Sequence, residues 1–283
     1  AQALRLFAPL GGPREAPAAP PLQRSWPALA GCKAMTSAVL ASEFVGTFFL
    51  VFTASIVALQ NHPLAPVAMG FILAGMTCSS VEVSGAHFNP AVTLGVWLTG
   101  RELLNVKRVL EYVVTQLLAG LCASFLSWLI FGATLTMQPG IGYCWVDALT
   151  VEVMYSTILV FVLLNTTTLT RESILPGQVE FSGVAMGLTL TSAAFAAGPI
   201  SGCALNPAWA VGAMATQAVE KCALGFGARS ALSAWRFLPL YVLGPLAGAG
   251  LAAAAFCGVR RPEYEGEMSL SDKEQHSGRK EEA

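Results

Sequence analysis

The sequence reads as an all-α integral membrane protein with six transmembrane helices and two re-entrant half-helices in an inverted repeat. Three features carry that reading. The 283-residue chain is 54% hydrophobic and only 12% charged, with a mean hydropathy of +0.60. Soluble domains hold about 45–50% apolar and about 25% charged residues. Six apolar stretches are each long enough to cross a bilayer, which takes about 20 residues of helix. Two tracts of sequence also recur at a spacing of 117 residues without a gap.

The spans fall at 39–59, 64–83, 108–132, 148–168, 182–199 and 236–257. Two further apolar pieces, 89–99 and 206–219, are too short to span, and both open on Asn-Pro. Pro is favoured in the first turn of a helix. A helix that starts inside a bilayer strands its first four N–H groups. Lipid cannot satisfy them, so such half-helices exist only inside protein or against a water-filled cavity. The Ala- and Pro-rich residues 1–34 contain no apolar run long enough for a signal core and are expected to form a flexible arm. Residues 259–283 are polar and without apolar periodicity, so a disordered tail is expected there. Its Ser269, Ser271 and Ser277 read as solvated serines. Between arm and tail, 35–258 forms the membrane domain, with halves at about 39–132 and 148–257.

The net charge of −1 excludes a basic nucleic-acid binder. With both termini in the cytoplasm, thirteen of the sixteen Lys and Arg residues fall inside. Only Lys221, Arg229 and Arg236 fall outside, as the positive-inside rule requires. The loops alone split four to three, so most of the bias comes from the two ends of the chain. Arg229 and Arg236 are expected to face water or headgroups at the rim. The seven cysteines show no CxxC and only three histidines accompany them, so no metal site is expected. Cys144 and Cys222 both fall on the outer side and are expected as free thiols. The Asn165-Thr-Thr sequon lies at the inner end of the fourth span, where glycosylation is not expected.

The repeat pairs VAMG 67–70, SG 84–85, NPA 89–91 and Gly95 with VAMG 184–187, SG 201–202, NPA 206–208 and Gly212. The first and fourth spans match as well. Glu43 precedes Thr47, and Glu152 precedes Ser156, each pair one helical turn apart on one face. The chain is thus two copies of span, span, half-helix, span. Three spans is an odd number, so the copies enter the membrane from opposite sides. The half-helices then meet near the midplane, N-terminus to N-terminus.

Two facing helix N-termini create a positive potential, each equivalent to about half an elementary charge. Asn89 and Asn206 add side-chain N–H donors at the same depth. A water oxygen there accepts from both, its hydrogens point outward, and a proton wire is broken. The plainer reading makes both Asn simple N-caps, but that leaves their membrane depth unexplained. Glu43 and Glu152 lie in apolar runs, where a carboxylate is either functional or fully hydrogen-bonded. A proton relay needs a chain of ionisable partners, and no His, Lys, Arg or Asp lies deep in a span. The favoured reading is that each carboxylate accepts N–H groups from the irregular backbone before a half-helix.

SGAHFNPAVTLG (84–95), SGCALNPAWAVG (201–212), EFVGTFFLVF (43–52) and the Gly244-Pro245 pair resemble the aquaporin, or major intrinsic protein, family over about residues 39–258. The resemblance implies a right-handed six-helix bundle with two half-helices, assembled as a homotetramer with one pore per subunit. It implies passage of water, and in some branches glycerol or other small neutral solutes, with no cofactor. Carried over residue by residue, the NPA boxes are Asn89, Pro90, Ala91 and Asn206, Pro207, Ala208. The polar stripe is the carbonyls of Gly85, Ala86, His87 and of Gly202, Cys203, Ala204. The apolar wall is Leu50, Leu73, Leu159 and Leu190. Glu43 and Glu152 match the glutamates that hold the half-helix loops.

The outer constriction departs from the family pattern. Its four positions fall on Met69, Ala194, Cys203 and Trp209. Most members place Arg where this chain has Trp209; a positive Arg there excludes cations and donates hydrogen bonds. Ala194 replaces a His found in many strict water channels. Ala210 replaces the Asp of the glycerol-conducting branch, which argues modestly against a glycerol specialist. Three outcomes stay open: a wider filter for neutral solutes, an ordinary water filter with altered walls, or a ring that plugs the pore. The competing functions are a secondary transporter, for which no ion site is visible, and a closed-pore structural or adhesive protein of the same fold. No nucleophile, metal set or cofactor loop suggests an enzyme.

Overall fold

Nine helices and no strand make up the described residues of the computed structural model, which are 33–100, 104–168 and 181–260. The chain divides into two units, 1–36 and 37–283, and the second carries the six candidate membrane spans found among the described residues. The helices are α1 (Lys33–Leu59), α2 (Ala65–Ser84), α3 (Pro90–Thr99), α4 (Val106–Phe131), α5 (Trp145–Thr167), α6 (Ser182–Ser201), α7 (Pro207–Ala223), α8 (Gly227–Ser233) and α9 (Leu238–Val259). Six stretches are long and apolar enough to cross a membrane: Ser37–Leu59, Ala65–Ser84, Val106–Phe131, Trp145–Thr167, Ser182–Ser201 and Gly227–Val259. The arm assigned to 1–34 lies outside the described residues up to 32, and of the tail assigned to 259–283, residues 261–283 lie outside them too.

The half-helices start where the Asn-Pro pairs put them. Pro90 and Pro207 open α3 and α7, and the side chains of Asn89 and Asn206 cap them by accepting from Ala91 N and Ala208 N. Helix α7 runs to Ala223, four residues past its apolar stretch. The Glu220 carboxylate that ended the stretch accepts a hydrogen bond from Thr134 Oγ1, and Lys221 Nζ donates to Ser233 Oγ at 3.1 Å.

The packing follows the repeat. Helix α2 lies against α6, its own counterpart, along the axis that relates the halves. Half-helix α3 packs on α9 and half-helix α7 on α4, so each half-helix leans on the third span of the other half. Helix α5 packs on α9 and α6. Small residues make these crossings, because lipid supplies no hydrophobic drive between helices and close backbone approach must serve instead. A Cβ on Gly187 would sit 2.5 Å from the Gly70 carbonyl oxygen, and one on Gly212 would strike the Gly120 carbonyl. Large apolar side chains such as Phe71, Leu129, Met154, Leu188 and Leu243 point outward, over half exposed, as a lipid-facing surface demands.

Candidate functional site

The site is built from the two loops that lead into α3 and α7. Both leave a helix through a left-handed glycine, Gly85 at φ 82° and Gly202 at φ 85°. Both then place two non-glycine residues in the left-handed region: Ala86 and Phe88 in one loop, Cys203 and Leu205 in the other. Such positions cost on the order of 1–3 kcal/mol each and persist only where the surroundings impose them.

Glu43 and Glu152 impose them. The Glu43 carboxylate accepts from His87 N at 3.0 Å, Phe88 N at 2.8 Å, Ser84 Oγ at 2.7 Å and Gln116 Nε2 at 2.8 Å. The Glu152 carboxylate accepts from Ala204 N at 3.0 Å, Leu205 N at 2.7 Å and Ser201 Oγ at 2.6 Å. Ser84 and Ser201 also take the next N–H, from Ala86 and Cys203. Tyr112 and Tyr241 then donate to the Ser84 and Ser201 carbonyls at 2.8 and 2.6 Å. Each loop is therefore gripped by a carboxylate from one span and a phenol from another. The first loop has one further tie. His87 Nδ1 lies 3.1 Å from Thr93 Oγ1, and Gln116 Nε2 donates to that same hydroxyl. Ala210 and Pro245 stand at the equivalent places in the second half and offer no such donors.

The two loops are tied to each other. Asn89 Nδ2 donates to the Leu205 carbonyl at 2.8 Å, and Asn206 Nδ2 donates to the Phe88 carbonyl at 2.9 Å. Each Asn thus caps its own half-helix with its oxygen and reaches across with its amide.

A cavity with about 440 Å³ of empty space, open ends included, runs beside this crossing. Leu50, Leu73, Leu159 and Leu190 all line it, one from each of α1, α2, α5 and α6. Asn89, Asn206, His87 and Ala204 line the polar side. Of the four positions assigned to the constriction, Met69 and Trp209 line the cavity. Ala194 and Cys203, though buried, are not among its lining residues. Gly85, Ala86 and Gly202, in the same two loops, are not among its lining residues either. Met186, the repeat partner of Met69, also lines it. The duplicated VAMG tract carried that signal.

Sequence reasoning missed Gln116, Tyr112, Tyr241 and Ser55. The two tyrosines had a trace: each is followed by Val in the third span of its half. Ser55 had none. It accepts the indole N–H of Trp209 at 3.0 Å, and both residues are buried. Asn165, Arg236, Cys144 and Cys222 do not line the cavity. Asn165 donates to the Phe161 carbonyl and accepts from Arg260, Arg236 lies over the Phe237 ring, and Cys144 and Cys222 are free thiols.

The family model described as major intrinsic protein matches residues 32–256. A rice protein (Oryza sativa subsp. japonica) named aquaporin NIP1-4 is 32% identical over 78% of this chain and 77% of its own length. An archaeal protein named aquaporin AqpM, from Methanothermobacter thermautotrophicus, is 29% identical over 76% of this chain and 94% of its own. Among solved structures, the aquaglyceroporin from Plasmodium falciparum superposes with a TM-score of 0.62 at 19% identity, covering 80% of this chain and 95% of that one, which is a likeness of fold. Two NPA-opened half-helices tied across a cavity, six spans in two inverted halves and a family match over most of its length make this chain a member of the major intrinsic protein family.

Proposed function

We propose that the chain is a passive transmembrane channel for water and small neutral solutes, which excludes ions and protons at the paired half-helices. The observation that carries this is the placement of Asn89 and Asn206. Each sits at the N-terminus of a half-helix and lines the same cavity between four leucines. One amide hydrogen of each Asn is spent on the opposite loop. The second is left for a permeant oxygen. The partial positive charge of both helix ends repels cations at that point. With the N–H groups of 86–88 and 203–205 directed at Ser84, Ser201, Glu43 and Glu152, we assign the carbonyls of 85–87 and 202–204 to the acceptor stripe along the path. Two relatives that cover most of this chain are named aquaporins, which supports water as a permeant. Both termini are assigned to the cytoplasm on the charge bias, and the assembly to a homotetramer on the family resemblance.

At the constriction Trp209 replaces the usual cation, and its one N–H is committed to Ser55. That end of the path offers a ring and a thioether, with no fixed charge. The filter therefore selects by size and polarity. Stopped-flow light scattering on proteoliposomes tests this with water, glycerol, urea and hydrogen peroxide gradients, beside Trp209→Arg and Trp209→Ala. Fast water flux in wild type, with solute flux altered in Trp209→Arg, is the expected result. No flux in wild type, restored by Trp209→Ala, would instead establish the closed-pore reading.

A further inference from the structure

Trp209 is anchored from outside the path it lines. It belongs to α7 in the second half of the chain, and the hydroxyl that holds it, Ser55, belongs to α1 in the first half. Ser55 does not line the cavity of the two asparagines. It lines a second, smaller one with Ser124, Ser127, Thr134 and Thr216, whose remaining walls are mostly apolar. The indole thus stands between two cavities, its ring against the first and its N–H pulled toward the second.

Trp has a single donor and no acceptor. Ser55 and Trp209 are 2% and 5% exposed, so neither finds bulk water at this contact. A buried indole N–H without an acceptor is costly, and the ring can escape that cost by turning to another acceptor. The carbonyls and permeants of the main path provide one. The Ser124 hydroxyl, buried without a protein partner, shows that the second cavity already holds more hydroxyl capacity than the protein satisfies.

We propose that Ser55 is the positioning residue of the constriction: by accepting the Trp209 N–H it draws the indole back toward α1 and so sets the free width of the path. This rests on the channel reading above. The hydrogen bond is worth about fivefold in the equilibrium constant between the drawn-back and the forward ring. Two independent readouts test it. In proteoliposomes, water permeability per protein falls by more than twofold, and at most about fivefold, in Ser55→Ala. It stays within about twofold of wild type in Ser55→Thr, which keeps the hydroxyl. In a Trp209→Phe background, Ser55→Ala then has no effect, because no N–H remains to be placed. The second readout needs no flux. The ultraviolet resonance Raman difference between wild type and Ser55→Ala shows loss of one hydrogen-bonded indole N–H, and the difference vanishes when Trp209→Phe is present in both. Should Ser55→Ala not assemble, Ser55→Cys, a much weaker acceptor, serves in both arms. Equal loss of permeability with and without Trp209→Phe overturns the proposal, since Ser55 would then act through packing alone. So does an unchanged Raman signature. A wild type that passes neither water nor solute contradicts the channel reading, while the Raman arm still decides the Ser55–Trp209 bond.

Discussion

Glu43 and Glu152 sit fully buried in apolar helices, yet each carboxylate accepts at least three hydrogen bonds. Buried acceptors of that kind are retained because their removal strands the donors. Glu152→Ala leaves the Ala204 and Leu205 N–H groups without partners and takes the shorter of the two acceptors from the Ser201 hydroxyl. At about 1–3 kcal/mol for each stranded group, it is expected to destabilise the protein by several kcal/mol. Thermal unfolding in detergent should show this as a large loss. Gln116→Leu removes one donor to Glu43 and the tie to Thr93 while leaving the other donors to the carboxylate in place, and should cost less, about 1–2 kcal/mol. Equal effects of the two substitutions would mean that the carboxylate is not the organising group. The role of these glutamates as loop supports was legible in the sequence, because the carboxylates recur without any ionisable chain between them. The partners were not. Tyr112 and Tyr241 left only a shared Tyr-Val as a trace, and the Ser55–Trp209 bond joins positions that the repeat does not relate. Cys203 was placed on the path by resemblance. The structure buries it in the loop before α7, next to the cavity-lining Ala204. Mercurials are still expected to slow transport, and Cys203→Ser to remove the block; inhibition of equal depth in that variant would place the reactive thiol elsewhere.

The six spans and two half-helices were legible to within about six residues because their signals are long or absolute, whereas the short α8 was not read from the sequence. Twenty apolar residues admit few alternatives, and Asn-Pro at the head of a short apolar piece marks a helix start. The miss at the end of α7 has a local cause. Glu220 and Lys221 ended the apolar stretch, whereas the helix continues because Thr134 and Ser233 pair with those side chains. How the helices cross was not legible, since glycines in an apolar helix do not announce their partners. Gly187 and Gly75 make the contrast testable. A Cβ on Gly187 meets the α2 backbone and the Ala74 side chain, whereas one on Gly75 meets nothing within 4 Å. Gly187→Ala should destabilise by about 1–3 kcal/mol through overpacking. Gly75→Ala should be neutral or slightly stabilising, as expected for Ala in a helix. The melting temperatures of the two variants, measured in the same detergent, check both values.

Across the whole molecule, the inverted repeat brings two helix N-termini to one place and surrounds them with leucines from four spans. The repeat itself could be read from the sequence, since a gapless offset of 117 residues extends through two NPA boxes. Its consequence, the cross-tie of each Asn to the opposite loop, emerged only from the fold. The charge bias predicts that both termini face the cytoplasm. Protease protection of tags at each end of the chain, in sealed cells, should leave both intact until the membrane is permeabilised. The family resemblance predicts a homotetramer, which native mass spectrometry in detergent reads as four chains per particle.

The function proposed above has the paired half-helices pass water while stopping protons. A single preparation of proteoliposomes, loaded with a pH-sensitive dye, measures both under one osmotic gradient. The facing helix ends predict fast shrinkage with a proton leak no greater than that of empty liposomes. Proton entry that rises with water flux would contradict that role, as would shrinkage no faster than that of the lipid alone.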